Sequence, residues 1–495
     1  MKRTFKILSA TLAMLMLFSM TMLFTSCGGD EVKETSGVDG TVSTDEGLPT
    51  LDVKNLGGKE IIVLWPDVHA DGHYLHNEID VTETGGDVIN SAVAERNAII
   101  EAVYNVTISS PTMFISDVAK TVRKEYMDGS STYSAIACSI NNSNMIALQQ
   151  EGGLTDFNSL TYYDESQPWW NHSLMQDLSV ANARYFASGD IIYSDDFYPY
   201  CTYVNKTVSS DRGIEINYYD LVKNNEWTLE KFHTLAAQAQ DDQVDGDPNT
   251  WSENDINGAV INENFAKTAY YSAGKGMVDF DKKGYPVWQM TVQYTQDILE
   301  KVISIVHNEK ACFNAGQFDD HAMQELSLFT GGKSLFLVEE LIFAERITKA
   351  DASTDFILLP YPKYDEDKEY ISVLNDALVL AIPVMCENKD DICLVLSAMS
   401  RESVNTLTPA FFDTVLTYRY MQDIQSVETL NVILDSTVAP DIATIQKWGG
   451  FMEAFKDLAV TKGSTDFSSY YQSNIGTAMG KLEEYCVMLD NFYNN

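Results

Sequence analysis

The segment 69–76 gathers His69, Asp71, His73 and His76. Imidazoles at i, i+4 and i+7 would share one helix face, as a metal site needs. Gly72 weakens any helix there, and a strand and Pro66 come just before, so the segment reads as a solvated loop. A second oxygen-rich stretch, Asp241 to Asp247 (DDQVDGD), sets oxygens at every second residue with Gly246 at the bend, as a calcium loop does. Gln243 occupies an expected ligand place and no Glu follows at position twelve. Asp241, Asp245 and Asp247 therefore read as an acidic turn, with calcium as the alternative; no other cofactor is expected. Catalytic signatures are missing: there is no H-E-x-x-H, no G-x-S-x-G and no G-x-G-x-x-G opening a helix. Gly332-Lys333-Ser334 ends like a phosphate loop, but Ser327 stands where its first Gly belongs, so a tight turn into a buried strand is expected. The chain is read as having no enzymatic activity.

Aromatic residues are the more telling group. Trp65, Trp169 and Trp170 (PWWN), Tyr270, Tyr271 and Trp448 stand at element ends beside polar residues. Such rings pack on the C–H faces of sugars while carboxylates and amides orient the hydroxyls. With 33 Lys+Arg against 72 Asp+Glu, the net charge of −39 repels phosphate backbones and anionic membrane surfaces. Nucleic acid is thereby excluded as a partner, and a neutral or cationic polar ligand is favoured. The 7 Cys contain no C-x-x-C pair, which fits neither a zinc ribbon nor a disulfide scaffold.

The elements that must position these residues follow from the hydrophobic pattern. Ile61 to Trp65 is β-rich; helical spacing runs from Asp87; Val106 to Ile108 and Ser134 to Cys138 read as strands, with a helix from Ser116 to Asp128 closed by Gly129 between them. Alternating strand and helix imply a mostly parallel sheet whose ligands sit beyond the carboxyl ends of the strands. A second region starts near Tyr198 with a strand from Tyr200 to Asn205, a helix capped by Thr228, a hairpin in VDFDKKGYPVWQM, and strands at Ser334–Val338, Phe356–Pro360 and Ala377–Pro383. The rest reads as helical. A chain of 495 residues suits two lobes.

At the N-terminus, Lys2, Arg3 and Lys6 precede an apolar run from Ile7 to Phe24, then Thr25-Ser26-Cys27. This is the pattern of a signal peptide over residues 1–26. Residues 27–57, rich in Gly, Ser, Thr and acids, read as a flexible acidic tether. Cys27 after two small residues is similar to a lipobox, which implies acylation at Cys27 and a protein on the extracellular face of the cell membrane, attached through its N-terminal lipid only.

The lipobox together with GGDVINSAVAERNAIIEAVYNV, QPWWN, NNEWTLEKFHTLAAQAQDD, FTGGKSLFLVEE, DFILLPYPKYDED and ISVLNDALVLAIP resembles the carbohydrate-type extracellular solute-binding lipoproteins of bacterial ABC importers. That family is maltose-binding-protein-like, and the likeness is closest to its long clostridial type. The resemblance implies a two-lobed, periplasmic-binding-protein-like (type II) α/β fold with a hinge and a helical C-terminal part. Lobe one would hold 58–195 and 368–403, and lobe two 198–366 and 404–495. A monomer would capture a sugar or oligosaccharide between the lobes and deliver it to membrane permease subunits. Carried over position by position, the implied ligand-binding residues are Trp65, Ser139, Asn141, Trp170, Tyr271, Glu339, Asn375, Asp376 and Trp448. Glu339-Glu340 stands where maltose-type proteins have an aromatic pair, which argues against a maltodextrin preference. The alternatives are a surface glycan-degrading hydrolase and a structural or adhesive surface lipoprotein.

Overall fold

A computed structural model describes residues 48–67, 76–81, 85–241, 255–307, 311–318, 321–374, 376–412 and 424–493. Cys27, His69, Asp71, His73, Asp245, Asp247 and Asn375 lie outside them, so the signal-peptide and metal expectations for those positions fall on residues that are not described. The fold is the expected mixed α/β architecture in two sheet-containing lobes.

The first sheet contains β1 (Lys59–Pro66), β2 (Val106–Ser109), β3 (Thr112–Met113), β4 (Ala135–Ser139) and β13 (Leu378–Ala381). β1 lies parallel to β2, β3 and β4, and β13 closes the edge antiparallel to β4. Both faces are covered, so its strands are apolar on both sides. Ile61, Val63 and Trp65 point into one apolar layer with Ile392, Leu396 and Met399 of helix Lys389–Ser403. Leu64, Ile136 and Cys138 point into the other with Val118 and Val122 of helix Ile115–Asp128. That helix starts without a side-chain cap and ends, as expected, at Gly129 in the left-handed region.

The second sheet runs in the order β11 (Phe356–Pro360), β5 (Tyr200–Asn205), β10 (Ser334–Glu340), β6 (Asn257–Ile261), β9 (Cys312–Asn314). β10, β6 and β9 are parallel, while β5 runs antiparallel to both β10 and β11. Helix Leu229–Ala239 packs on it through Phe232 and Leu235, and the Thr228 hydroxyl caps it by accepting the Lys231 N–H at 3.2 Å. Trp227, fully enclosed, donates its indole N–H to the Pro360 carbonyl at 2.8 Å. β7 (Val278–Phe280) and β8 (Pro286–Trp288) form the expected hairpin. Gly332 supplies the left-handed turn into β10 that the Gly-Lys-Ser stretch suggested. Helices follow from Ile442 to Tyr493, with a π-helical stretch at Asp457–Lys462.

The segments that join the two sheets, around Pro199 and around Leu374, pair with one another and with a further short strand. β12 (Ser372–Val373) lies parallel to β14 (Thr437–Val438), and Leu374 pairs antiparallel with Pro199. The Leu374 N–H donates to the Val438 carbonyl at 2.9 Å.

Gly258 in β6 allows the close approach of helix and neighbouring strand. A Cβ there would lie 2.2 Å from the Ala236 carbonyl oxygen and 2.6 Å from that of Ala311, both of them backbone atoms. Gly258→Ala should therefore destabilise the second lobe by about 1–3 kcal/mol. Gly476→Ala, with open space around its Cβ on an exposed helix face, should stabilise by about 0.5–1 kcal/mol. Urea midpoints of the two variants check both signs.

Candidate functional site

In a parallel sheet the ligand edge lies beyond the strand carboxyl ends. Here the antiparallel strands bring distant residues to that same edge. β13 runs against β4 with Leu378 opposite Ser139, so Asp376, just ahead of β13, meets the end of β4. The Ser139 hydroxyl donates to Asp376 Oδ1 and accepts the Asn141 N–H at 3.0 Å. In the second lobe β5 begins where β6 and β10 end. The Tyr200 hydroxyl donates to Asn262 Oδ1 at 2.8 Å, and Asn262 Nδ2 donates to Glu339 Oε1 and, at 3.2 Å, to Glu325 Oε1. Glu339 Oε2 accepts the Glu340 N–H at 2.8 Å. Lys267, 7% exposed on helix Asn264–Ser272, stands within electrostatic reach of Glu340 from its own lobe and Asp376 from the other.

These groups are strongly perturbed. Burial first, then Glu325, holds the Glu339 carboxyl well above the usual carboxylate range. Glu325 is pushed up to about 7 by burial, with hydrogen bonds from Glu339 and Asn262 opposing. Glu325 and Glu339 are thus two adjacent carboxyls, and sharing one proton relieves the cost of two buried charges. Lys267 is pushed down to about 7 by burial and then Lys456, against the pull of Glu340 and Asp376. Tyr198 is raised well above its ordinary value by burial, then by Glu340 and Asp376.

Ser139, Asn141, Glu339 and Asp376, all expected from sequence, therefore lie along the edges where the lobes meet. The aromatic candidates are placed differently. Strand alternation turns Trp65 to the side of Ile61 and Val63, and Trp170 sits in the same apolar layer, their rings 0% and 4% exposed. Their indole nitrogens have no partner among the described residues. Trp448, also buried, packs on Tyr485 at 5.6 Å between ring centroids and donates to Gln446 at 2.8 Å. Tyr271 is committed to Asp441 Oδ2 and Thr444 Oγ1, each at 2.9 Å. Asp241 pairs with Arg212 at 2.5 Å. Among the described residues no group of three His, Cys, Asp or Glu is placed to hold a metal ion, and no helix is long and apolar enough to cross a membrane.

Sequence reasoning did not single out Asn262, Lys267 or Glu325. The signal for Lys267 was present: helix Asn264–Ser272 is buried from Phe265 to Ser272, and a lysine inside FAKTAYY is a cation the chain must enclose. A cavity of about 630 Å³ lies away from the strand edges, between helix Phe451–Lys456, the π-helical stretch and helix Phe467–Tyr493, with Glu453 and Tyr470 in its wall. It lacks the convergence of strand ends from two lobes.

No family model matches the chain, and no curated protein matches it either. Solved structures do match in fold. An ABC substrate-binding protein from Listeria monocytogenes in complex with cycloalternan has 13% sequence identity, a TM-score of 0.56, and coverage of 86% of this chain and 99% of that chain. The cyclic alpha-maltosyl-1,6-maltose binding protein from Arthrobacter globiformis, at 13% identity and a TM-score of 0.60, covers 86% of this chain and 100% of its own. The galacto-N-biose-/lacto-N-biose I-binding protein of the ABC transporter from Bifidobacterium longum, in complex with lacto-N-biose, has 12% identity, a TM-score of 0.57 and coverage of 87% and 98%. At these identities the likeness is one of fold.

The carboxyl pair generates a pH dependence. Glu325 has a folded pKa of about 7, above its unfolded value, so the folded protein binds the extra proton. Its penalty is absent below the unfolded value of about 4.3 and complete above about 7. Stability should fall as pH rises through that window, and Glu325→Gln should flatten the decline by on the order of 2 kcal/mol. Urea unfolding at pH 5 and pH 8 measures the difference between variant and parent.

Proposed function

We propose that this protein is an extracellular solute-binding protein that captures a sugar or oligosaccharide between its lobes and delivers it to the permease subunits of an ABC importer. The observation that carries this reading is the convergence of two sets of strand ends beside the paired segments that join the sheets. That geometry encloses a ligand between lobes able to move about those segments. The fold neighbours support the ligand class: one is named for binding cyclic alpha-maltosyl-1,6-maltose, and two named as ABC-system proteins are in complex with cycloalternan and lacto-N-biose.

On this reading lobe one comprises 58–195 and 368–403, and lobe two 198–366 and 404–495. Ser139, Asn141 and Asp376 of lobe one, and Glu339 of lobe two, then supply the carboxylates, amides and hydroxyls with which a saccharide exchanges hydrogen bonds, and Asn375, next to Asp376 in sequence, is proposed to join them. Trp65, Trp170, Tyr271 and Trp448 act from behind, as the packed support of that edge. Binding without chemical change follows, because the paired carboxyls are engaged with each other and with Asn262. Cys27 carries the lipid that holds the chain at the outer face of the membrane, and the acidic tether keeps the lobes clear of it.

Two outcomes test the reading. The lobes, purified from about Leu51 onward, should bind a soluble oligosaccharide on a glycan array and return it intact; sustained hydrolysis by clean protein would move the reading to the hydrolase class. Cys27→Ala should be exported but released into the medium, because the lipid supplies the membrane affinity that an acidic tether lacks. Retention of the variant at the membrane counts against lipid anchoring.

A further inference from the structure

The residues just ahead of β1 stay on the first sheet's lobe. The Leu56 N–H donates to the Tyr104 carbonyl at 2.8 Å and the Gly58 N–H to the Asn105 carbonyl at 2.7 Å, where helix Val88–Tyr104 ends. Asn55 Oδ1 accepts from Asn105 Nδ2 and from the Gly57 N–H, each at 2.9 Å. Lys54 Nζ lies 2.5 Å from Asp391 Oδ1 and Lys59 Nζ 2.6 Å from Asp391 Oδ2, in the first turn of helix Lys389–Ser403. In the last turn of that helix, buried Arg401 donates through Nε to the Pro49 carbonyl at 2.8 Å. Leu51 and Leu56 are half-buried against the apolar layer that holds Ile392, Leu396 and Met399 of the same helix. Segment 49–58 therefore runs antiparallel to the helix and meets it at both ends, joining residues 332 to 352 positions apart. The lengths agree: five extended residues from Pro49 to Lys54 span about 17 Å, and the helix rises about 15 Å from Asp391 to Arg401.

We infer that residues 49–58 are a strap that fastens the N-terminal tether along helix Lys389–Ser403, so that an anchor at the N-terminus grips lobe one and leaves lobe two free to swing. The anchor half of this rests on the lipid reading of Cys27; the strap itself does not. Lysine–carboxylate pairs with Lys54 48% and Lys59 28% exposed contribute little in water, and here they set the register of the segment on Asp391. The hold comes from the two leucines on the apolar layer and from the backbone N–H groups of Leu56 and Gly58, each with a carbonyl partner. On the proposed division of the chain, helix Lys389–Ser403 is the last element of lobe one before the chain passes to lobe two. A pull on the tether is then taken up at Pro49 and Arg401, beside the foot of that passage, before it reaches β1.

The experiment is hydrogen exchange, read by mass spectrometry on the full exported chain in detergent. The Leu56 and Gly58 amides should exchange at least about tenfold more slowly than in a free peptide of the same sequence, because both are bonded to carbonyls of the lobe. Leu56→Asn should erase that protection and speed exchange in helix Lys389–Ser403, while helix Leu229–Ala239 on the second sheet keeps its rate. Free-peptide rates in the parent chain overturn the strap, even where the variant folds poorly. Protection lost in the variant with helix Lys389–Ser403 unmoved overturns the fastening. Retention of Cys27→Ala at the membrane overturns the anchored-lobe half alone, since the exchange rates are read without reference to the lipid.

Discussion

The segments that join the two sheets expose backbone N–H and C=O groups that no sheet interior satisfies, and the fold depends on how these groups are paired. The answer is local: β12 takes β14 as its partner, and Leu374 is held by Val438 on one side and Pro199 on the other. Bound into one cord, these segments cannot wander over the surface. They fix which edges of the two sheets face each other, and those edges are the carboxyl ends of β4 and of β6 and β10. A linker of unpaired coil would connect the lobes equally well but would leave their relative placement undefined.

The cost of this arrangement is paid in buried polar groups. Lys267, Glu339, Glu340 and Asn262 are all nearly enclosed, and each would be expensive to bury alone. Their costs are reduced by one another: Asn262 bridges Glu325 and Glu339, the Glu340 peptide serves Glu339, and Lys267 feels the pull of carboxylates from both lobes. Apolar residues of the same volume would stabilise the boundary at least as well. Displaced pKa values cluster at functional sites more often than in cores, which is why these strand ends are the candidate site. The aromatic residues show the converse. Trp65 and Trp170 belong to the layer under helix Lys389–Ser403, where large rings fill volume behind the sheet.

Much of the architecture was legible because its signals are local. The apolar run of β1, the Thr228 cap, the Gly129 stop, the β7–β8 hairpin and the strand Tyr200–Asn205 each follow from residues within a few positions of one another. Ser139, Asn141, Glu339 and Asp376 came from the family resemblance, and the structure sets them at strand ends. The tryptophans were harder. A ring at the end of a strand looks the same in sequence whether it faces a ligand or the neighbouring helix, and one residue of alternation decides between them.

By itself, then, the sequence determined the fold class, the alternation of strand and helix, the acidic field of the chain and the polar residues that end its strands. Only the tertiary structure decided that β13 runs against β4, that the joining segments pair with each other, and that Lys267 of one lobe comes within electrostatic reach of Asp376 of the other. The reason is one of range. Hydrophobic period and capping act over a few residues, whereas strand order and the meeting of Ser139 with Asp376, 237 positions apart, are set by which long-range pairings bury the most surface and satisfy the most backbone groups together.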